Sequence, residues 1–200
     1  MGHKPKHNIA AVVLAAGLST RAGSENKLLF HIEGQPMVTR VAVQLTEAEL
    51  ESVLVITGHE FERIEEAVGH LNLQCVHNPD YKEGMASSIR RGIGALSPSV
   101  EGVLVCLGDM PWVEAITLSK ILKAFYPEEG RAICQPVCAG MAGNPVLFAR
   151  RYFESLMCLK GDRGGNTVIQ KNPNVVFHID VDDVGVLRDV DRPTIWKDSN

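Results

Sequence analysis

Ile9-Ala10-Ala11-Val12-Val13-Leu14 runs without a break into Ala15-Ala16-Gly17-Leu18-Ser19-Thr20-Arg21-Ala22-Gly23-Ser24-Glu25-Asn26-Lys27. The first six residues are all apolar and the run is short, which predicts a strand buried on both faces. The loop that follows holds small residues, Gly17 and Gly23, and two cations, Arg21 and Lys27. Backbone N–H groups beside fixed positive charge suit a polyphosphate. Taken singly, Arg21 and Lys27 read as solvated cations on an ordinary strand-to-helix turn; it is the whole run after a core strand that points to a ligand. No Gly-Lys-Ser/Thr closes the loop, so it is not a P-loop, and the glycine spacing is not a dinucleotide fingerprint.

Outward from this stretch, strand and helix patterns alternate. Helix fits 38–50, strand 52–57, an acidic amphipathic helix 61–71, a short strand 73–77, helix 84–96, strand 102–107, helix 113–125 and strand 131–136. The last third is less regular, with a short strand at 145–148, a helix at 150–159 and a strand at 175–180. Continuous Val/Ile/Leu strands alternating with helices predict an α/β fold, a three-layer α/β/α arrangement around a Rossmann-like, mostly parallel sheet. The loop 15–27, the turn after His77 and the turn after Leu107 all leave carboxyl ends of strands, where ligands sit in such sheets, and are expected to converge. No linker, repeat or low-complexity stretch divides the 200 residues, so one domain is expected over 1–200.

Composition removes several function classes. Twenty Lys+Arg against 24 Asp+Glu leave a net charge of −4, the opposite of a nucleic-acid footprint. No apolar run approaches the ~20 residues that span a bilayer, and residues 1–8 carry no signal-peptide core, so neither membrane nor secretion is expected. Five cysteines without secreted-type spacing, Cys75, Cys106, Cys134, Cys138 and Cys158, read as reduced thiols acting as small core hydrophobes, which suits the cytoplasm. The seven histidines form no ligand set; His59 and His77 are read as surface or capping residues.

Other segments carry chemistry. In Leu107-Gly108-Asp109-Met110-Pro111 a carboxylate stands at the end of a predicted strand, where Mg2+, which prefers one or two carboxylates plus phosphates and water, would be held. The alternative is that Asp109 caps the next helix. In Asn78-Pro79-Asp80-Tyr81-Lys82-Glu83-Gly84-Met85-Ala86-Ser87-Ser88, Gly84 permits close approach of a ligand, and Ser87 and Ser88 stand at a helix start as N-caps. Asp189-Val190-Asp191-Arg192-Pro193 offers a second carboxylate for a metal, directly or by orienting it; whether Asp189 or Asp191 faces inward is left open, and Asp191 also reads as a helix start.

In this order the segments resemble the nucleotidyltransferases that act on molybdopterin, whose first loop reads Leu-Ala-Ala-Gly-x-Ser-x-Arg-Met-Gly-x-x-Lys. The likeness is to the molybdenum cofactor cytidylyltransferase branch, because Ala16 precedes Gly17 where the guanylyl branch carries Leu-Ala-Gly-Gly. Ala142-Gly143-Asn144-Pro145-Val146-Leu147-Phe148 and Leu159-Lys160-Gly161-Asp162-Arg163-Gly164-Gly165-Asn166 are similar to the family's acceptor-side segments. Three departures stand out: Ala22 replaces Met, three residues rather than two separate Gly23 from Lys27, and Gly165-Asn166 stands where Ala-Arg is usual, with Arg163 as the compensating cation. Asp162 also reads as a helix N-cap.

The resemblance implies a GT-A-like fold with a nucleotide-binding half at about 8–112 and an acceptor-binding half at about 113–196. It implies CTP bound by Leu14, Ala15, Ala16, Gly17, Ser19, Arg21, Lys27, Asn78, Gly84, Ser88 and Asp109, with Arg21, Lys27 and Asp109 catalytic. Asp109 and Asp191 would hold Mg2+, with Mn2+ as a substitute, and Asn144, Asp162 and Arg163 would meet the acceptor, molybdopterin. The implied reaction moves CMP to the terminal phosphate of molybdopterin and releases pyrophosphate. A monomer or weak homo-oligomer serving a molybdenum hydroxylase of the xanthine dehydrogenase type is expected. The alternatives are a guanylyl- or other sugar- or alcohol-phosphate nucleotidyltransferase, and a non-catalytic carrier of finished cofactor.

Overall fold

A computed structural model describes residues 7–18 and 26–190. The strands of its main sheet are β1 (Ile9–Ala15), β2 (Ser52–Thr57), β3 (Gln74–His77), β4 (Gly102–Leu107), β5 (Ile133–Cys138), β6 (Met141–Ala142), β7 (Val146–Ala149) and β8 (Val176–Asp180). Across the eight-stranded sheet the order is β8-β5-β7-β4-β1-β2-β3, with β6 paired to β5 alone. β1 lies parallel to β2 on one side and to β4 on the other, so that Val13 sits opposite both Val55 and Cys106. β2–β3 and β5–β8 are also parallel. β7 runs antiparallel to β4 and to β5, and β6 antiparallel to β5.

The helices are α1 (Met37–Thr46), α2 (Phe61–Val68), α3 (Met85–Gly94), α4 (Ala115–Ala124), α5 (Phe153–Met157) and α6 (Asn166–Lys171). They divide between two faces because successive strand residues point to opposite sides. Ala11, Val13, Val53, Val55, Leu104 and Cys106 meet α1, α2 and α4 through Val38, Val41, Ile64, Leu118 and Ile121. Val12, Leu54, Ile56, Val103 and Val105 meet α3, α5 and α6 through Ala86, Ile89, Leu156 and Val168. The fold is thus the expected three-layer α/β/α, held by two cores that share one sheet. Each fully buried Leu, Ile or Phe side chain contributes about 1.5–3 kcal/mol.

The 52–57 and 102–107 strands fall where the apolar runs place them. Other bounds shift: the helix expected over 38–50 stops at Thr46, and the 150–159 helix splits into a 3-10 turn at Arg150–Tyr152 and a short α5. The sequence reading lacks α6, β6 and the small hairpin of His31–Ile32 with Gln35–Pro36. Cys106, Cys134 and Cys138 are buried, as small core hydrophobes should be, whereas Cys158 is exposed. Burial pushes the Cys106 thiol far up, and pushes Cys134 up to about 12 against the opposing charge of Arg131. Among the described residues no helix is long and apolar enough to cross a membrane.

Candidate active site

Two turns leave neighbouring strands at one end of the sheet and are stitched together. The Gly108 N–H, at the exit of β4, donates to the Leu14 carbonyl of β1 at 3.1 Å. From β1 the chain passes Ala16, which is buried, to Gly17, which is exposed and where an added Cβ would meet none of the described residues within 4 Å.

The far end of this loop is pinned by Asn26, buried at 1% exposure. Its Oδ1 accepts the Leu28 N–H at 3.1 Å and starts a 3-10 turn, Lys27–Leu29; its Nδ2 donates to the His59 carbonyl at 3.3 Å. With its Cα fixed in this way, Lys27 projects across to β4, and its Nζ donates to Asp109 Oδ2 at 2.7 Å. The two side chains are 19% and 21% exposed, so this is a partly dried ion pair that solvent or a ligand still reaches. Asp109 does not cap α4: the helix has Glu114 at its N-cap position with no side-chain cap. The Glu114 N–H donates instead to Asp183 Oδ2 at 2.9 Å.

The exits of β2 and β3 build the next wall. Gly58 is squeezed between the first loop and Tyr81: a Cβ there would lie 2.7 Å from the Cβ atoms of both Ala16 and Tyr81. Only a residue without a side chain lets these segments close. Asn78 and Ser88, placed by sequence in the nucleotide pocket, are buried at 2% and 5%. The Asn78 carboxamide is spent internally, its Nδ2 donating to Ser87 Oγ at 2.9 Å and to Ser88 Oγ at 3.1 Å. These serines do not cap α3 with side chains as expected. Gly84 is the N-cap residue, and Ser87 Oγ donates back to its carbonyl.

The acceptor-side segments reach the same end of the sheet. The Gly161 carbonyl accepts the Ala86 N–H at 2.9 Å, and Arg90 Nη1 donates to the Leu159 carbonyl at 2.8 Å, so 159–162 is bolted to the start of α3. Asp162 and Arg163 are exposed there. Asp162 caps no helix, because Gly165 takes the N-cap position of α6; it leans over Gly84 instead. Asn144 lies beside Leu107 and Met110 in the lining of a small apolar cavity. Its N–H donates to the Val186 carbonyl, and the chain continues to Val190, whose N–H donates to the Asp109 carbonyl at 3.0 Å. The last motif therefore arrives beside Asp109, with Val190 buried and Asp189 exposed. Ser19, Arg21 and Asp191 lie outside the described residues.

Sequence reasoning missed Asn26, Gly58, Tyr81 and Asp183. Asn26 carried a signal, an Asx residue two positions before an apolar pair at a turn start. Asp183, buried at 5%, accepts from the Glu114 and Gly185 N–H groups and ties the C-terminal segment to α4; its Gly185 contact is the same kind of Asx turn, but nothing local marks its reach to Glu114.

A single hard carboxylate, Asp109, at the exit of β4 fits a Mg2+-like cation that takes its remaining oxygens from phosphates and water. Among the described residues no cluster of three or more His, Cys, Asp or Glu stands ready to hold a metal alone.

Such a fold, with Lys27 and Asp109 meeting at the carboxyl ends of its strands, is that of an α/β nucleotide-handling domain. The model of the MobA-like NTP transferase domain matches residues 11–175, and the chain belongs to that family. It is similar to Rv0371c of Mycobacterium tuberculosis H37Rv, with 26% identity, a TM-score of 0.83 and coverage of 94% of this chain and 95% of that one. A structure of Rv0371c in complex with manganese matches with a TM-score of 0.74 at 24% identity over 87% and 88% of the two chains. Among curated proteins, the bifunctional protein GlmU of Sphingopyxis alaskensis is 31% identical over 143 residues, 71% of this chain and 31% of that protein. The chain thus spans less than a third of such GlmU relatives.

Proposed function

We propose that this protein transfers a nucleotidyl group from a nucleoside triphosphate to a phosphate-bearing acceptor, with CTP as donor and molybdopterin as acceptor. The observation that carries the reading is the meeting of Lys27 and Asp109 at 2.7 Å across the exits of β1 and β4. The family supports nucleotidyl transfer; the choice of CTP and molybdopterin rests on the Leu14-Ala15-Ala16-Gly17 turn and the acceptor-side segments. A cytoplasmic setting and a molybdenum hydroxylase client belong to the same reading.

In this reaction an oxygen of the acceptor's terminal phosphate attacks the α-phosphorus, the bond to the β-phosphate oxygen breaks, and pyrophosphate leaves with the electron pair. The protein's task is to align two anions and to neutralise developing charge. Lys27 binds the triphosphate with Arg21, and Gly17 lets phosphate approach the backbone. Asp109, with Asp191, would hold Mg2+, which would withdraw charge from the phosphate oxygens. Asn144, Asp162 and Arg163 orient the acceptor. That Rv0371c has been solved in complex with manganese agrees with use of a divalent cation.

The test is pyrophosphate release by purified protein given Mg2+, CTP or GTP, and molybdopterin, with Lys27→Ala and Asp109→Asn beside wild type. CTP-dependent release that falls at least about 10²-fold in both variants is expected. Near-normal turnover in both, or release with GTP alone, overturns the reading.

A further inference from the structure

Asp109 Oδ2 has a cation on it already: the Lys27 ammonium. A Mg2+-like ion binds a carboxylate oxygen at about 2.0–2.1 Å, closer than the ammonium stands. An ammonium left beside that oxygen repels a dication strongly in a partly dried site. The described residues offer no further cluster of metal-ligating groups that would hold the ion against this repulsion.

We infer that Lys27 is the resident counter-ion of the metal position. It keeps the bare divalent cation off Asp109 until a triphosphate draws the ammonium away, so that cation and triphosphate load together. The inference rests on the proposed nucleotidyl transfer in placing the metal at Asp109 and in naming a triphosphate as the displacing anion.

The residue type suits an exchange. Lysine presents a compact charge on a flexible four-carbon stem that can swing from carboxylate to phosphate. Asn26 holds the backbone on which that stem turns, through the Leu28 N–H and the His59 carbonyl, so the movement is confined to the side chain. The exchange keeps both charges compensated throughout. Without ligand, carboxylate meets ammonium; with ligand, carboxylate meets metal and ammonium meets phosphate.

The inference makes a prediction that a plain triphosphate-binding lysine does not: removing a cation from the site tightens metal binding. Free Mn2+ is measured by electron paramagnetic resonance against the full chain without nucleotide. Lys27→Met should bind bare Mn2+ about tenfold more tightly than wild type, and Lys27→Gln should behave alike. Lys27→Arg, which keeps the charge, should match wild type. So should Lys123→Met, which removes an exposed charge in the last turn of α4. Asp109→Asn placed in the Lys27→Met chain should erase the gain. Bare Mn2+ affinity unchanged in both neutral variants, a gain in Lys123→Met of the same size, or a gain that survives Asp109→Asn overturns the inference. A second titration adds α,β-methylene CTP with Mn2+. If wild type fails to bind that pair, the proposed nucleotidyl transfer falls, while the bare-metal comparison still decides the role of Lys27.

Discussion

Gly84 carries the sharpest structural prediction. Its backbone lies at φ +100°, ψ −179°, a region open essentially to glycine, so any Cβ costs about 1–3 kcal/mol in strain alone. The Cβ of Gly84→Ala would also stand 2.6 Å from Asp162 Oδ1 and Gly161 C, and 2.7 Å from the Gly161 carbonyl oxygen. Asp162 is exposed and can swing aside, but the Gly161 backbone cannot yield without letting go of the Ala86 N–H. That hydrogen bond contributes about 1 kcal/mol. The sum is about 2–4 kcal/mol, which for a chain of this length lowers the melting temperature by roughly 10 °C. Differential scanning calorimetry should show that loss. Gly94→Ala, at a helical glycine with nothing within 4 Å of the added carbon, should match or exceed wild type by up to about 1 kcal/mol. A Gly84→Ala melting point within about 2 °C of wild type would refute the claim that 159–162 is clamped to α3 through this contact.

Other outcomes are open to simple measurement. Asn26→Ala strips a buried and a half-buried hydrogen bond from the turn that aims Lys27; it should cost about 1–3 kcal/mol in urea unfolding and, on the proposed function, weaken CTP binding by calorimetry roughly tenfold. An aromatic disulfide reagent at pH 8 should label Cys158 fast and Cys75 slowly, since burial and the Glu65 charge raise the Cys75 thiol, and should leave Cys106, Cys134 and Cys138 untouched in the native protein. Cys134 also makes stability depend on pH. Its thiol titrates near 9.0 when unfolded and about 12 when folded, so above pH 9 the unfolded chain releases a proton that the folded chain keeps. Stability is full below pH 9 and falls above it, by about 1.4 kcal/mol per pH unit from this thiol. Urea midpoints under reducing conditions between pH 8 and 10.5 should fall less steeply in Cys134→Ala than in wild type; equal slopes would contradict the assignment.

Much of the sheet was legible because its central strands are buried on both faces. Val53 to Ile56 and Val103 to Cys106 have no polar residue to blur the pattern, and their ends are found where the apolar runs stop. The C-terminal part was harder to read because its elements are short and fixed from a distance. β6 has two residues and exists only by pairing with β5, and α6 spans six residues with one buried side chain, Val168. Local propensity says little about such elements. The site was legible as motifs but not as roles. Asn78 reads as a ligand-facing carboxamide, yet its hydrogen bonds go to Ser87 and Ser88; nothing in the order of residues tells which polar groups are spent on holding a wall together.

Topology explains why Lys27 and Asp109 meet although 82 residues part them. β1 is the strand from which the sheet grows in both directions: the chain goes first to β2 and β3 on one side, then returns to β4 on the other. Helices that leave β1 and β4 pack beside each other on one face, α1 against α4, while α3 covers the opposite face. The strand order reverses between β1 and β4, and ligands of parallel sheets bind outside the carboxyl ends of the strands at such a point. The sequence supplies the loop from β1 with a cation and the loop from β4 with a carboxylate. Each charge therefore finds its partner across the switch, and a bound triphosphate with its metal would present the same two groups with exchanged partners. Placing both charges on one loop would fix their spacing by local geometry alone; placing them on adjacent strands makes it depend on the β1–β4 register, where Leu14 stands opposite Leu107. The register is held by the buried alternation along both strands, since a slip of one residue would turn Val12, Val103 and Val105 out of one core and into the other. The chemistry of the site is in this sense a consequence of the packing of the sheet beneath it.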